Sequence, residues 1–154
     1  MNNYEYIKLT RKGHIMTLML NRPEAMNALS SGLMEEIEQA SRELLNDEKT
    51  RVVVVRGSGK HFSAGADLKE SRLARNMVMQ RRDFALGARM IRAITEIQQV
   101  TIAAIHGAAL GGGACIPTAC DFRIATDDAV CGYPEVNLGM NLMWQSLPLC
   151  VRLI

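Results

Sequence analysis

Apolar and polar positions alternate along Ile15-Met16-Thr17-Leu18-Met19-Leu20, the two-residue period of a strand, and Asn21-Arg22-Pro23-Glu24 turns the chain out of it. From Ser31 the period changes. Leu33, Met34, Ile37, Ala40, Leu44 and Leu45 recur at helical spacing, ending near Asn46-Asp47. Val52 to Val55 is a continuous β-branched run, which predicts a strand covered on both faces by helices, followed by a loop from Arg56 to His61. Periodicity is poor between Lys69 and Gln80, after which Phe84, Gly87, Met90, Ile91, Ile94 and Ile97 line one face of a second helix. Thr101 to Ile105 predicts another buried strand, His106 to Gly113 a turn into a short helix running to about Cys120, and Phe122-Arg123-Ile124-Ala125 a further strand.

Strands alternating with helices predict an α/β layer built on a mostly parallel sheet. No repeat, low-complexity tract or Pro/Gly/Ser linker divides the chain, so residues 1–154 read as one domain, with 48% hydrophobic residues to build its core. No stretch approaches the apolar length of a membrane span. Met1 to Lys12 lacks the apolar core of a secretion signal, so the expected location is cytoplasmic. Leu147 to Ile154 is strongly apolar and carries no helix stop signal, which leads to the expectation of a chain truncated at its C-terminus.

Eighteen basic against sixteen acidic residues, a formal charge of +2, exclude a general affinity for nucleic acid. The local exception is Lys69, Arg72, Arg75, Arg81 and Arg82, which either meet a phosphorylated ligand or solvate a loop. Cys115, Cys120, Cys131 and Cys150 form no CxxC pair, and His14, His61 and His106 are scattered. The expectation is no metal site and reduced thiols.

The chemistry concentrates in two glycine-rich stretches, Ser63-Ala64-Gly65-Ala66-Asp67 and Leu110-Gly111-Gly112-Gly113-Ala114, each after an apolar strand-like run. Neither has the spacing of a dinucleotide fingerprint. Gly57-Ser58-Gly59-Lys60 fails as a P-loop, with Val54 and His61 where glycine and Ser or Thr are required. The first stretch reads as a tight turn or as a ligand loop at a strand end. The second reads as close helix packing or as a helix N-terminus whose free N–H groups face a ligand. Glu135, after Pro134, is either a surface helix-dipole partner or a catalytic carboxylate. Two backbone donor sites and one carboxylate suit enolate chemistry, in which fixed N–H groups stabilise the negative charge on an acyl oxygen.

Leu20-Asn21-Arg22-Pro23 with Asn27-Ala28-Leu29, Val54-Val55-Arg56-Gly57, Phe62-Ser63-Ala64-Gly65-Ala66-Asp67-Leu68, His106-Gly107-Ala108-Ala109-Leu110-Gly111-Gly112-Gly113, Ala119-Cys120-Asp121, and Tyr133-Pro134-Glu135 with Leu138-Gly139 follow one another along the chain. In these motifs the sequence resembles the crotonase family, also called the enoyl-CoA hydratase/isomerase family, from its first strand to its end. The resemblance implies a crotonase-like layered α/β fold lacking its C-terminal helical part, and an oxyanion hole made by the N–H groups of Ala64 and Gly112, with Gly111 beside it. Glu135 would be the catalytic base. Ala64, Gly65, Ala66, Asp67 and Leu68 would line the coenzyme A path, with Ala66 near the adenine, Gly111 and Gly112 would also bind coenzyme A, and Arg22 to Met26 would help hold the nucleotide. Coenzyme A would enter as part of the substrate, with no permanently bound cofactor and no nucleic-acid or membrane partner.

Three departures qualify that implication. Members that hydrate enoyl-CoA carry a second glutamate just after the glycine-rich turn, where this chain has Cys115. One carboxylate still suffices to carry a proton between the α- and γ-carbons of an enolate, so isomerase-like chemistry is favoured. Pro117 replaces an aliphatic residue and would tighten or shorten its helix. Family members also continue into helices that complete the acyl pocket and pack subunits into trimers, often paired as hexamers. The rival readings are a hydratase with Cys115 in place of the first glutamate, an acyl-CoA hydrolase or decarboxylase, and a non-catalytic CoA-binding module.

Overall fold

The computed structural model describes residues 3–73 and 76–153. Ile7, Leu9 and Arg11 alternate with the exposed Lys8, Thr10 and Lys12 to form β1 (Ile7–Lys12), which turns at Gly13, φ +59°, into the antiparallel β2 (Ile15–Leu20). β1 is a strand the apolar pattern does not announce. Its edge is held instead by pairing with β2 and by the Glu36 carboxylate, which accepts the N–H groups of Glu5, Tyr6 and Ile7. After a 3-10 turn at Pro23–Ala25, Ser30 caps α1 (Ser31–Leu44) by accepting the Leu33 N–H, and the predicted apolar stripe becomes its buried face.

β3 (Val52–Gly57) then pairs parallel with β2, and β4 (Val100–Ile105) parallel with β3. Between them lie α2 (Leu68–Leu73) and α3 (Met77–Thr95). α3 starts well before the periodic residues predicted it, because Asn76 caps it by accepting the N–H groups of Val78 and Met79. Its first turns expose Met77, Val78 and Met79, which explains the missing apolar period there, and Phe84, expected to open the buried face, is exposed as well.

Register partners put Met16, Val53 and Thr101 in one row and Leu18, Val55 and Ala103 in the next, all buried. α1 and α3 pack against each other and share one buried core with this face. Val52, Val54, Ile102 and Ala104 on the opposite face are only half-buried. The expectation of helices on both faces of β3 is therefore corrected: both crossover helices lie on one side, and the β-branched run reflects the strand rather than double burial.

From β4 the chain enters β5 (Ala108–Leu110), then α4 (Gly112–Ala119) and β6 (Phe122–Ala125), which adds parallel to β4 and completes the order β1-β2-β3-β4-β6. α4 carries Pro117 and ends two residues after it. The Asp121 carboxylate accepts the N–H and hydroxyl of Thr101, tying the start of β6 to β4. β7 (Val130–Gly132) pairs parallel with β5 in a separate two-stranded sheet. A 3-10 turn at Pro134–Leu138 and the short α5 (Leu147–Val151) follow, with Leu147, Val151 and Leu153 exposed; Ile154 lies outside the described residues. No described helix is long and apolar enough to cross a membrane.

Candidate active site

The loop after β2 is held by one buried side chain. Asn27, at φ 52°, accepts the Arg22 N–H through Oδ1 and donates through Nδ2 to the carbonyls of Ser58 and His61. Asparagine tolerates this left-handed backbone and supplies both donor and acceptor, so the loop after β3 is fastened to the loop after β2. Ser63 Oγ donates to the Asn27 carbonyl at 2.8 Å and accepts the Gly65 N–H. Phe62 and Ser63 donate their N–H groups to His106 and Ala108, and Leu110 donates to Ser63. These bonds bring the two glycine-rich stretches together at the C-terminal ends of β3 and β4, where open α/β sheets bind ligands.

Each glycine of the second stretch makes room for something different. Gly111 has φ +54°, and a Cβ there would stand 2.8 Å from Glu135 Oε1. On Gly112 it would overlap the six-membered ring of Trp144, and on Gly113 it would stand 2.8 Å from Ser63 Oγ. The packing and ligand-facing readings of this turn thus coexist. Gly112 opens α4, so its N–H has no intrahelical acceptor. A Cβ on Gly65 would lie 3.5 Å from that nitrogen, which puts the two loops in contact.

The Ala64 N–H is not free, contrary to the expectation that it faces a thioester carbonyl: it donates to the Met26 carbonyl at 3.0 Å. Among the described residues the Ala66 and Gly112 N–H groups have no hydrogen-bond partner. Leu29 donates to the Gly65 carbonyl and accepts from Asp67 N–H, so the Ala66 amide between them is directed away from Leu29. The donor expected at Ala64 therefore belongs, in this geometry, to Ala66.

Glu135 is aimed by backbone pairing. Gly111 N–H donates to the Gly132 carbonyl at 2.8 Å, and the turn from Pro134 places the carboxylate over Gly111. Its Oε2 is buried without a hydrogen-bond partner. A buried carboxylate oxygen left unpaired is costly, and an enclosed ligand is its natural complement. Cys115, one turn into α4, is buried beside this site, and burial pushes its thiol up to about 11. A thiol raised this far is mostly protonated at neutral pH, which weakens it as a nucleophile or a base.

A cavity of about 720 Å³ connects these groups, with Ala64 to Leu68 on one wall, Gly111, Gly112 and Cys115 on another, and Glu135 and Met140 to Trp144 closing it. Such a volume suits a small-molecule ligand. Arg22 and Met26 are not on its wall. Arg22 donates to the Ala28 carbonyl and to Asp67 Oδ2 at 3.1 and 3.2 Å, and lies over the Tyr6 ring. Asp67 Oδ1 in turn accepts the Lys69 and Glu70 N–H groups at the start of α2. Burial works to raise the Asp67 pKa, but the Glu70 N–H and Arg22 outweigh it and hold the carboxyl below its ordinary value. The pair fixes the loop.

Lys69, Arg81 and Arg82 are exposed and off the cavity wall; Arg75 and the Arg72 side chain lie outside the described residues. No cluster of three metal-ligating side chains occurs among the described residues. Sequence patterning missed Asp83 and Trp144 as cavity residues. Asp83 is a polar residue just before the apolar positions expected from Phe84 onward, and Trp144 is far along the chain from both surfaces it touches.

The family model described as Enoyl-CoA hydratase/isomerase matches residues 10–152, and the chain belongs to that family. It is 40% identical over 141 residues to the crotonyl-CoA hydratase of Syntrophomonas wolfei, covering 90% of this chain and 53% of that protein. To the short-chain-enoyl-CoA hydratase of Clostridium acetobutylicum it is 38% identical over 134 residues, covering 86% and 51%. The crystal structure of an enoyl-CoA hydratase from Bacillus anthracis superimposes with a TM-score of 0.88 at 36% identity, over 94% of this chain and 57% of that one. The chain thus spans about half the length of the curated relatives it matches.

Proposed function

We propose that this chain is the catalytic part of a cytoplasmic enzyme that binds an acyl-CoA thioester, holds its enolate, and moves a proton with one carboxylate, most simply as an enoyl-CoA isomerase. The observation that carries this reading is the unpaired, buried Glu135 Oε2 in the same cavity as the free N–H groups of Ala66 and Gly112. The two amides donate to the thioester oxygen, and donors already fixed by backbone pairing lose little on reorganisation as charge grows there. Removing one such donor typically costs about 2.7–4 kcal/mol of barrier. Glu135 takes a proton from one carbon of the allylic system and returns it to the other.

Cys115 supports the single-carboxylate mechanism, because burial pushes its thiol up to about 11 and a thiol protonated at neutral pH is a poor base toward water. The hydratase names of the relatives favour a second reading, in which Glu135 alone handles both water and the α-proton. The products separate the two: a shifted double bond against a 3-hydroxyacyl-CoA. Coenzyme A enters and leaves with the substrate, and no resident cofactor takes part in the proposed steps.

The test is deuterium incorporation at the α-carbon of butanoyl-CoA in heavy water, read by mass spectrometry. Exchange is expected in the wild-type protein and its loss in Glu135→Gln, with butanoyl-CoA binding retained. Exchange that survives in Glu135→Gln overturns the assignment of the base.

A further inference from the structure

Tyr133 and Thr118 lie off the cavity wall, yet their hydroxyls end a row of hydrogen bonds that begins inside it. Thr118 Oγ1 donates to the Ala114 carbonyl at 2.7 Å. With its one hydrogen directed there, it accepts from the Tyr133 hydroxyl, 2.5 Å away. Tyr133 Oη is itself 3.5 Å from the same carbonyl, so both hydroxyl hydrogens point toward Ala114. Burial pushes the Tyr133 phenol above its ordinary value, and at neutral pH it keeps the proton it donates. The row continues through peptide groups. The Ala114 carbonyl shares its peptide unit with the Cys115 N–H, which donates to the Gly111 carbonyl at 3.1 Å. The Gly111 carbonyl in turn shares its unit with the Gly112 N–H, the free donor on the cavity wall.

From Tyr133 to Gly112 every donor points the same way, and hydrogen bonds aligned head to tail polarise one another, by about 10–30% per bond. α4 has only eight residues, so its own row of peptides is short and the two hydroxyls lengthen it. Pro117 confines the effect to this row. The Ala114 N–H also donates to the Gly111 carbonyl, at 2.8 Å, but the next link behind it would be the N–H of residue 117, which proline lacks. We propose that Tyr133 and Thr118 are positioning residues for the proton transfer: through two peptide units they strengthen the Gly112 N–H as a donor to the acyl oxygen. This rests on the acyl-CoA reading above and adds to it two residues that never touch the substrate. The effect falls on kcat rather than KM, because a polarised donor favours the charged enolate oxygen over the neutral thioester. A donor whose loss costs roughly 10²–10³ in rate, weakened by about a fifth, slows exchange about threefold.

The carbonyl stretch of bound butanoyl-CoA, isotopically labelled at that carbon and read by difference infrared spectroscopy, reports the strength of the donor. In the wild type the band should lie below that of the free ester. Tyr133→Phe and Thr118→Val should return it part of the way, the double variant no further than Thr118→Val alone, and Thr118→Ser should keep the wild-type band. Exchange at the α-carbon should follow, about threefold lower in kcat at unchanged KM wherever the band has moved. If Thr118→Val does not fold, Tyr133→Phe and Thr118→Ser decide. A lowered band that is identical in the wild type and Tyr133→Phe, or shifts that add in the double variant, overturn the relay and leave the acyl-CoA reading standing. A folded wild type that binds no butanoyl-CoA overturns both.

Discussion

Gly111, Gly112 and Gly113 are adjacent, yet a side chain is excluded from each by a different neighbour. At Gly111 the obstacle is both conformational and chemical: φ +54° with ψ −124° is a backbone that L residues avoid, and a Cβ would press on the Glu135 carboxylate at 2.8 Å. Strain of this kind costs about 1–3 kcal/mol, and each 1.36 kcal/mol transferred to the barrier is about tenfold in rate. Gly111→Ala should lower α-proton exchange by about tenfold or more while butanoyl-CoA still binds. Gly132 is the control, because its φ is not positive and an added methyl would meet no atom within 4 Å, so Gly132→Ala should exchange at the wild-type rate. Equal rates in all three proteins would show that the Gly111–Glu135 contact does not position the base.

Among the elements, α1 and β2 were legible from a period that the core buries, and β3 and β4 from short runs rich in β-branched and apolar residues. β1 was not, since only Ile7 and Leu9 face inward and its pairing depends on β2 and on Glu36 from α1. β5 and β7 are three residues each, too short for any period. The same limit applies to the site. Glycine-rich turns and a carboxylate can be read as residue types, but which amide stays free is decided by the Met26 carbonyl meeting Ala64 across the fold. A further long-range tie joins the α1–β3 connection to β1: Asp47 pairs with Arg11 and accepts the Thr50 hydroxyl. The Arg11 guanidinium, followed by that hydroxyl, holds the Asp47 carboxyl well below its ordinary value. A carboxylate pKa lower in the folded than in the unfolded chain stabilises the fold fully above the unfolded value, near 3.9, and less as pH falls toward the folded one. Asp47→Asn should therefore cost about 1 kcal/mol at pH 7, a gap that closes below about pH 4. Urea unfolding at pH 7 and pH 3 measures it, and a gap of the same size at both would refute the ion-pair account.

At the scale of the whole molecule, the sheet ends in a strand that nothing covers among the described residues. All four residues of β6 are exposed, with Phe122 at 59% and Ile124 at 64%, and Val130 on β7 is 61% exposed nearby in sequence. An outer strand offers unpaired backbone groups as well as apolar side chains, and proteins that leave such edges bare tend to associate through them. We expect the purified chain to self-associate with rising concentration, whatever its assembly in a longer relative. Ile124→Lys keeps the strand's backbone but sets a charge on its apolar face. Losing one isoleucine from a contact weakens it by about 2 kcal/mol, roughly thirtyfold in the association constant, whereas the fold loses little because the side chain is already in water. Sedimentation velocity over a concentration series should show the wild-type weight-average mass climbing and that of Ile124→Lys staying nearer the monomer, with thermal unfolding unchanged between them. If the two proteins sediment alike at every concentration, β6 is not the surface through which the chain associates, and the exposed apolar side chains of α5 become the next place to put the charge.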